Sequence, residues 1–256
     1  MTQGKAGGAL SRLAGWIDDL LFPQDVCCLC CGAGLGGEEE LLCAACADAL
    51  ETLEARQAES ARADDRPLPP GVGALCSLYP YEGQAKRLIC ALKFGCVRRA
   101  ALPLARGMAM LPTGEADLLV PIPTTKRRLR RRGFNQSELL AREIGRITGM
   151  ETLCALKRRD DRAAQSSLPG RLRQGNLVGC MEASGEARGK RVLLVDDVYT
   201  TGATAAEAAR ALLGAGAVSV AMVTAARAMP DSGRVPLFLR LWGRMFPGVG
   251  SIAKNF

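Results

Sequence analysis

The stretch RVLLVDDVYTTGAT, residues 191–204, constrains this chain more than any other part of it. Val192 to Val195 is a short apolar run of strand type, and Asp196 and Asp197 stand where that run ends. Val198 and Tyr199 lead into Thr200, Thr201, Gly202, Ala203 and Thr204. An alanine-rich helix is predicted from Ala203 to Leu213, stopped by Gly214 and Gly216. A strand feeding a Gly/Thr loop at a helix N-terminus aims main-chain N–H groups and the positive end of the helix dipole at one point. That point suits a phosphate. Threonine hydroxyls add donors, and Gly202 lets the main chain approach closely. Carboxylates do not attract a phosphate, so the two acids are placed to hold hydroxyl groups or Mg²⁺ beside it. A phosphate next to vicinal hydroxyls describes ribose 5-phosphate. The bland alternative is an ordinary strand–turn–helix with a solvated Asp pair, which has no need of two acids and three threonines together.

This run resembles the binding motif of the type I phosphoribosyltransferases, a hydrophobic run, two acidic residues and then Thr-Thr-Gly-x-Thr. The resemblance implies that Asp196 and Asp197 contact the ribose hydroxyls and that residues 200–204 wrap the 5-phosphate. The whole of Asp196, Asp197, Val198, Tyr199, Thr200, Thr201, Gly202, Ala203 and Thr204 would then line a site for phosphoribosyl pyrophosphate or a nucleotide. It implies binding; it does not imply turnover.

A chain of 256 residues can bury a full α/β core and still carry a small accessory module. With 48% hydrophobic and 23% charged residues, its composition is that of a soluble globular protein. No run approaches the roughly 18 apolar residues of a membrane span. Near the N-terminus, Asp18 and Asp19 break the apolar stretch that a signal peptide requires, so a cytoplasmic location is expected. The net charge of +8 permits phosphate substrates or nucleic acid as partners without choosing between them. Histidine is absent, which excludes an imidazole general base, a Ser–His triad and a His metal ligand.

The chain has 11 cysteines, better read without an export signal as metal ligands plus buried small hydrophobes than as a disulfide framework. Residues 27–50 read CCLCCGAGLGGEEELLCAACADAL, two CxxC pairs about a Gly-rich acidic loop. Cys43 and Cys46 form the second pair. The first is Cys27/Cys30 or Cys28/Cys31, and the latter is preferred because Gly32 follows it and permits the tight turn that points N–H groups at sulfur. Four thiolates at Cys28, Cys31, Cys43 and Cys46 make a closed tetrahedral site for structural Zn²⁺. Free buried thiols and a [4Fe–4S] cluster are the rivals, and the symmetry of the knuckles favours zinc. Before them, residues 10–22 carry Leu13, Trp16, Ile17, Leu20 and Leu21 at helical spacing, a helix expected to pack on the knuckle or on the larger domain, with a partner contact as the alternative.

A helical stretch is expected from Ala47 to Ala63. The Pro/Gly-rich segment 64–73 is expected to link an N-terminal module at 1–63 to a domain at 74–230, with a tail at 231–256. Ala74 to Tyr81 reads as a strand, Gln84 to Leu92 as a helix ending near Gly95, Leu118 to Ile122 as a buried strand, and Val218 to Thr224 as the last core strand. Lys93, at a helix end, either faces the helix dipole or contacts a phosphate. KRRLRRRGFNQ, residues 126–136, leaves a core strand and enters a helix near Asn135, with Glu138 placed for a capping box. Ligands bind at that edge of a parallel sheet, and arginine grips pyrophosphate oxygens in pairs, so Arg127 and Arg132 join Lys93 as anion-binding candidates. A solvated cationic face and a nucleic-acid backbone contact are the other readings of the run. The tail, with Leu237, Leu239, Leu241, Trp242 and Phe246 among Arg240 and Arg244, reads as a basic amphipathic helix packing back on the domain rather than meeting a membrane or partner.

The cysteine knuckle, ALKF at 91–94, PIP at 121–123, RRGFNQ at 131–136, the Gln165/Leu168/Arg173/Asn176 spacing and VLLVDDVYTTGAT occur in one order. In that order they resemble the ComF family (ComFC/GntX-like proteins). The resemblance implies a type I phosphoribosyltransferase fold, a parallel sheet flanked by helices, with a small N-terminal zinc module held by four cysteines. It also implies amidophosphoribosyltransferase-like proteins tied to DNA uptake in natural competence. The segment holding Gln165, Arg173 and Asn176 would be a lid over the base side of the site or a surface loop. Two functions fit. One is Mg²⁺-dependent transfer of a phosphoribosyl group to an unidentified nucleophile, although no general base is evident. The other is a non-catalytic nucleotide sensor whose basic run and zinc module hold single-stranded DNA or a competence helicase. The low aromatic content, 4%, speaks against stacking on bases, and the arginine cluster for backbone contact.

Overall fold

Side chains alternate between two packed layers along each central strand, and that alternation sets the architecture. A computed structural model of the chain describes residues 27–36, 40–62, 67–95, 97–159 and 179–228. The helix expected at 10–22, the residues Gln165, Leu168, Arg173 and Asn176, and the tail at 231–256 lie outside the described residues.

Helix α1, Ala44–Arg62, buries Cys46, Leu50, Leu53 and Gln57 along one stripe. Strand β1 spans Ala74–Pro80, and α2, Gly83–Phe94, buries Ala85, Leu88, Ile89 and Leu92 before Gly95 ends it. Helix α3, Ala101–Ala109, leads to β2, Leu118–Pro121. Helices α4, Lys126–Arg132, and α5, Gln136–Thr148, follow, then the short strands β3, Glu151–Thr152, β4, Leu156–Arg158, and β5, Met181–Ala183. The described residues close with β6, Arg191–Tyr199, α6, Ala203–Gly214, and β7, Ser219–Arg227.

Five strands form one parallel sheet in the order β1-β7-β6-β2-β3, and β4 and β5 pair as a small antiparallel ribbon. On one face Leu119, Leu193, Val195 and Val223 meet Leu88, Leu92, Leu104 and Leu140 from α2, α3 and α5. On the other, Leu118, Val120, Val192, Leu194 and Met222 meet Ala205, Ala208 and Leu212 of α6 and Leu156 and Met181 of the ribbon. Each fully buried leucine contributes about 1.5–3 kcal/mol from apolar burial alone. Burial on both faces is why the strands read as unbroken apolar runs.

The cysteine-rich segment does not stand apart from this core. Leu29 and Leu42 pack against the same cluster as Leu50 and Leu53, and Arg56 pairs with Glu82 at 2.7 Å. Residues 67–73 are also held: Pro69 and Val72 are buried, and the Gly73 N–H donates to the Val220 carbonyl at 2.8 Å.

Three details depart from the expectations. Strand β6 does not stop at Val195; it runs on through both acids to Tyr199, because β7 continues to Arg227 and offers partners that far. The basic run forms its own helix, α4, begun by the Thr125 hydroxyl accepting from the Arg128 N–H and ended by Gly133 at φ 76°. None of its side chains is buried. At α5 the Asn135 side chain caps the Ser137 N–H at 3.2 Å, while Glu138 turns along the helix to Arg142 at 2.6 Å.

Candidate sugar-phosphate site and cysteine cluster

The C-terminal edge of the sheet carries the candidate site. Asp196 and Asp197 lie near the end of β6, and Gly202, at φ 79°, turns the chain into α6 as its N-cap. Gly202 has no side chain to cap that helix end, and the Ala203 N–H donates to the Thr201 hydroxyl at 3.4 Å. Beyond Ala203, the first turn of α6 offers its N–H groups to an incoming acceptor. A Cβ on Gly202 would stand 2.6 Å from the Tyr199 hydroxyl and 2.9 Å from Pro69 Cγ, so the turn is tight as well as left-handed. Tyr199 is itself stacked under the Arg227 guanidinium, 5.1 Å from the ring centroid.

The acids are held by elements distant in sequence. Ser137, buried at the start of α5, donates to Asp196 Oδ1 at 2.7 Å, and the Asp197 N–H donates to the same oxygen at 2.9 Å. Burial, then the Asp197 charge, pushes the Asp196 carboxyl up to about 7, against the pull of Ser137, the Asp197 N–H and Lys93. Asp197 pairs with Lys93, whose Nζ lies 2.9 Å from Oδ1. Lys93 therefore reaches into the site, but it meets a carboxylate there. Arg132 stacks over Phe94 at 5.1 Å and donates to Gln136 Oε1 at 2.9 Å, and Arg127 stands exposed on α4.

Beside β2, a cavity of about 450 Å³ opens between Pro123, Thr124, Thr125 and Lys126 and the strand bearing Leu156, Lys157, Arg158 and Arg159. Arg158 Nε is buried there without a hydrogen-bond partner, and Arg159 is tied to Glu182 at 2.6 Å. The cavity and the α6 N-terminus flank adjacent strands, since Pro121 registers with Val195. Sequence reasoning missed Ser137, Lys157 and Arg158. A hydroxyl in the first turn of a helix at the sheet edge was a signal for Ser137; Lys157 and Arg158 carried none, because β4 is too short for a periodic pattern.

The acid pair does not suit direct Mg²⁺ coordination. Asp197 already has a cation at hydrogen-bond distance, and Asp196 Oδ1 already accepts from the Ser137 hydroxyl and the Asp197 N–H. A divalent ion about 5 Å from the Lys93 ammonium would meet a repulsion of roughly 7 kcal/mol at an effective dielectric of about 20.

The cysteine cluster does suit zinc. The Sγ atoms of Cys28, Cys31, Cys43 and Cys46 lie within 4.8 Å of one another, with Cys31 and Cys43 at 3.7 Å. A tetrahedron with Zn–S bonds of about 2.3 Å has edges of about 3.8 Å. Each pair is folded by a tight turn, the Gly32 N–H donating to the Cys28 carbonyl at 2.8 Å and the Cys46 N–H to the Cys43 carbonyl at 2.9 Å. Burial opposes charge at Cys28, but N–H groups of Cys43, Cys31 and Cys30 bring its thiol down to about 6. Cys30 instead points at the Gln84 carbonyl, 3.4 Å away, and Cys27 is exposed. Thus Cys28 and Cys31 are the first pair that the fold assembles with Cys43 and Cys46.

A parallel sheet with helices on both faces, an acidic pair and a Gly-capped helix at its carboxyl edge define a type I phosphoribosyltransferase fold joined to an N-terminal cluster of four cysteines. Residues 129–235 match the phosphoribosyl transferase domain family. The DNA utilization protein YhgH of Salmonella typhi is 36% identical over 165 residues, which cover 59% of this chain and 71% of that protein. The competence protein ComFC of Bacillus subtilis is 30% identical over 158 residues, covering 59% and 63%. The chain belongs to the ComF family. Among solved structures, the glutamine phosphoribosylpyrophosphate amidotransferase of B. subtilis aligns at 24% identity with a TM-score of 0.38, over 50% of this chain and 26% of that one. Among the described residues, no helix is long and apolar enough to cross a membrane.

Proposed function

We propose that the chain binds phosphoribosyl pyrophosphate, or a nucleotide sharing its ribose 5-phosphate, at the carboxyl edge of β6. The 5-phosphate sits on the N–H groups that open α6, with Thr200, Thr201 and Thr204 as further donors. Asp196 and Asp197 take the ribose hydroxyls, and the cationic cavity at Thr124–Lys126 and Lys157–Arg159 takes the pyrophosphate end. Mg²⁺ in this reading comes with the pyrophosphate rather than on Asp197. The observation that carries it is the juxtaposition of an uncapped, Gly202-led helix end with two acids on the preceding strand. Transfer of the phosphoribosyl group to an acceptor would rest on positioning and charge neutralisation, which these residues supply. The organisation proposed with it is an N-terminal metal module at 1–63, a linker at 64–73, the transferase domain at 74–230 and a tail at 231–256.

Calorimetric titration of phosphoribosyl pyrophosphate with Mg²⁺ into the wild type and into Asp196→Asn/Asp197→Asn tests the assignment. Binding lost in the double variant supports it, and equal heats in both proteins overturn it.

One observation favours a second, compatible role. Helix α4 buries none of its residues, and Arg131 and Arg132 lie 5.9 and 5.1 Å from the ring centroid of Phe94, itself 49% exposed. The two named relatives are a competence protein and a DNA utilization protein. A cationic helix beside an exposed ring fits single-stranded DNA or a DNA-bound helicase partner during uptake in the cytoplasm. Single-strand affinity that falls steeply with salt, and falls less steeply in Arg127→Gln/Arg130→Gln, supports this role; a flat salt dependence removes it.

A further inference from the structure

The Lys93–Asp197 contact is built into the fold rather than made by two mobile side chains. Leu92, the residue before Lys93, is fully buried, and Gly95 caps α2 immediately beyond Phe94. The last turn of α2 is thereby fixed over the edge of β6. The Lys93 and Asp197 side chains are 16% and 12% exposed, and the Lys93 ammonium lies 5.9 Å from the centroid of the Tyr81 ring. Tyr81 is held in turn by its N–H donating to the Arg227 carbonyl at 2.8 Å.

Two adjacent carboxylates in a largely dry site repel one another, and a positive charge must offset them if both are to accept hydroxyl hydrogen bonds. In a metal-dependent site a divalent ion supplies that charge. Here a covalently tethered ammonium occupies the position, with three donors of which Asp197 engages one directly.

We propose that Lys93 is the resident cation of the diol site, so that ribose 5-phosphate is held at Asp196 and Asp197 without a divalent ion. The inference rests on the reading of that acid pair as the ribose-binding group. It separates the ligand into two parts with different metal needs: the sugar phosphate binds to the chain alone, and only a pyrophosphate extension brings Mg²⁺ with it. It also assigns Lys93 a positioning role, holding Asp197 oriented for the hydroxyls through the 2.9 Å contact.

The test uses the full chain with its zinc in place and ribose 5-phosphate, which lacks the pyrophosphate, as the probe. Calorimetry is run in Mg²⁺-stripped buffer and again with Mg²⁺ added. The expected result is the same affinity in both. For Lys93→Met, which keeps the apolar stem and removes the charge, affinity without metal falls about tenfold or more, near 1.4 kcal/mol, and Mg²⁺ restores part of it. That metal rescue distinguishes a lost charge from a local packing defect. Wild-type binding that appears only with Mg²⁺ overturns the inference and leaves the diol reading standing. Absence of binding under both conditions overturns the diol reading, and the inference with it. Metal-free binding that is unchanged in Lys93→Met also overturns the inference.

Discussion

Ser137 and Asp196, 59 positions apart in sequence, are joined by a hydrogen bond of 2.7 Å that ties the first turn of α5 to the edge of β6. Through it, the segment running from the basic helix into α5 becomes a wall of the proposed sugar-phosphate site. The same carboxylate oxygen accepts from the Asp197 N–H, so Asp196 Oδ1 has one fixed role. The pair also sets how the site responds to pH.

Asp196 titrates near 7 in the folded chain against an ordinary value of 3.8, chiefly through burial and next through the Asp197 charge. Between those values the folded chain holds a proton that the unfolded chain has released. The resulting stability is complete below about pH 4 and is lost as the pH rises through about 7. Denaturant titrations at about pH 5 and about pH 8 are expected to show a smaller loss with rising pH in Asp196→Asn than in the wild type. Equal losses would sink the prediction.

Gly202→Ala is expected to cost roughly 1–3 kcal/mol, because a left-handed φ disfavours any Cβ and the new methyl meets Tyr199 and Pro69. The turn into α6 moves with it, so ribose 5-phosphate binding weakens in the same variant. Thermal unfolding and calorimetry read the two effects separately. A variant as stable as the wild type would show that the turn tolerates a side chain.

Glu207, 4% exposed in α6, accepts from the Met181 N–H at 3.0 Å and from Arg210 Nε at 2.7 Å. It clamps the ribbon that carries Lys157 and Arg158. Glu207→Ala leaves the buried Met181 N–H unsatisfied and is expected to cost about 1–3 kcal/mol. Hydrogen exchange at the Met181 amide should accelerate. Unchanged protection at that amide contradicts the clamp.

Elemental analysis is expected to find one zinc per chain. Cys43→Ser should lose the metal, and Cys30→Ser, whose native sulfur faces the Gln84 carbonyl, should keep it. Because Leu29 and Leu42 pack against the main core cluster, zinc loss should also lower the unfolding midpoint of the whole domain. Zinc retained in Cys43→Ser would mean a different ligand set.

Much was legible in the residues alone because it depended on neighbours. The apolar run before Asp196, the Gly/Thr turn and the alanine-rich helix are a local pattern, and they fold as one strand–turn–helix. The paired CxxC spacing likewise announced a cluster of four thiols, since the turn geometry lies within each pair. Asn135 announced the start of α5 for the same reason: a cap bonds to its own helix.

The rest required the fold. Whether β6 stopped at Val195 or ran to Tyr199 was decided by the length of β7, its hydrogen-bonding partner. That Lys93 meets Asp197 and Ser137 meets Asp196 follows from α2 and α5 packing on the same sheet face. The cavity cations Lys157 and Arg158 joined Thr124 and Lys126 only because the ribbon folds beside the end of β2. The periodicities of helix and strand repeat within a few residues, so the sequence by itself determined the strand, the Gly202 turn and the helix that follows it. Charge partners across the site are set by strand order and helix packing, which tertiary structure alone decides.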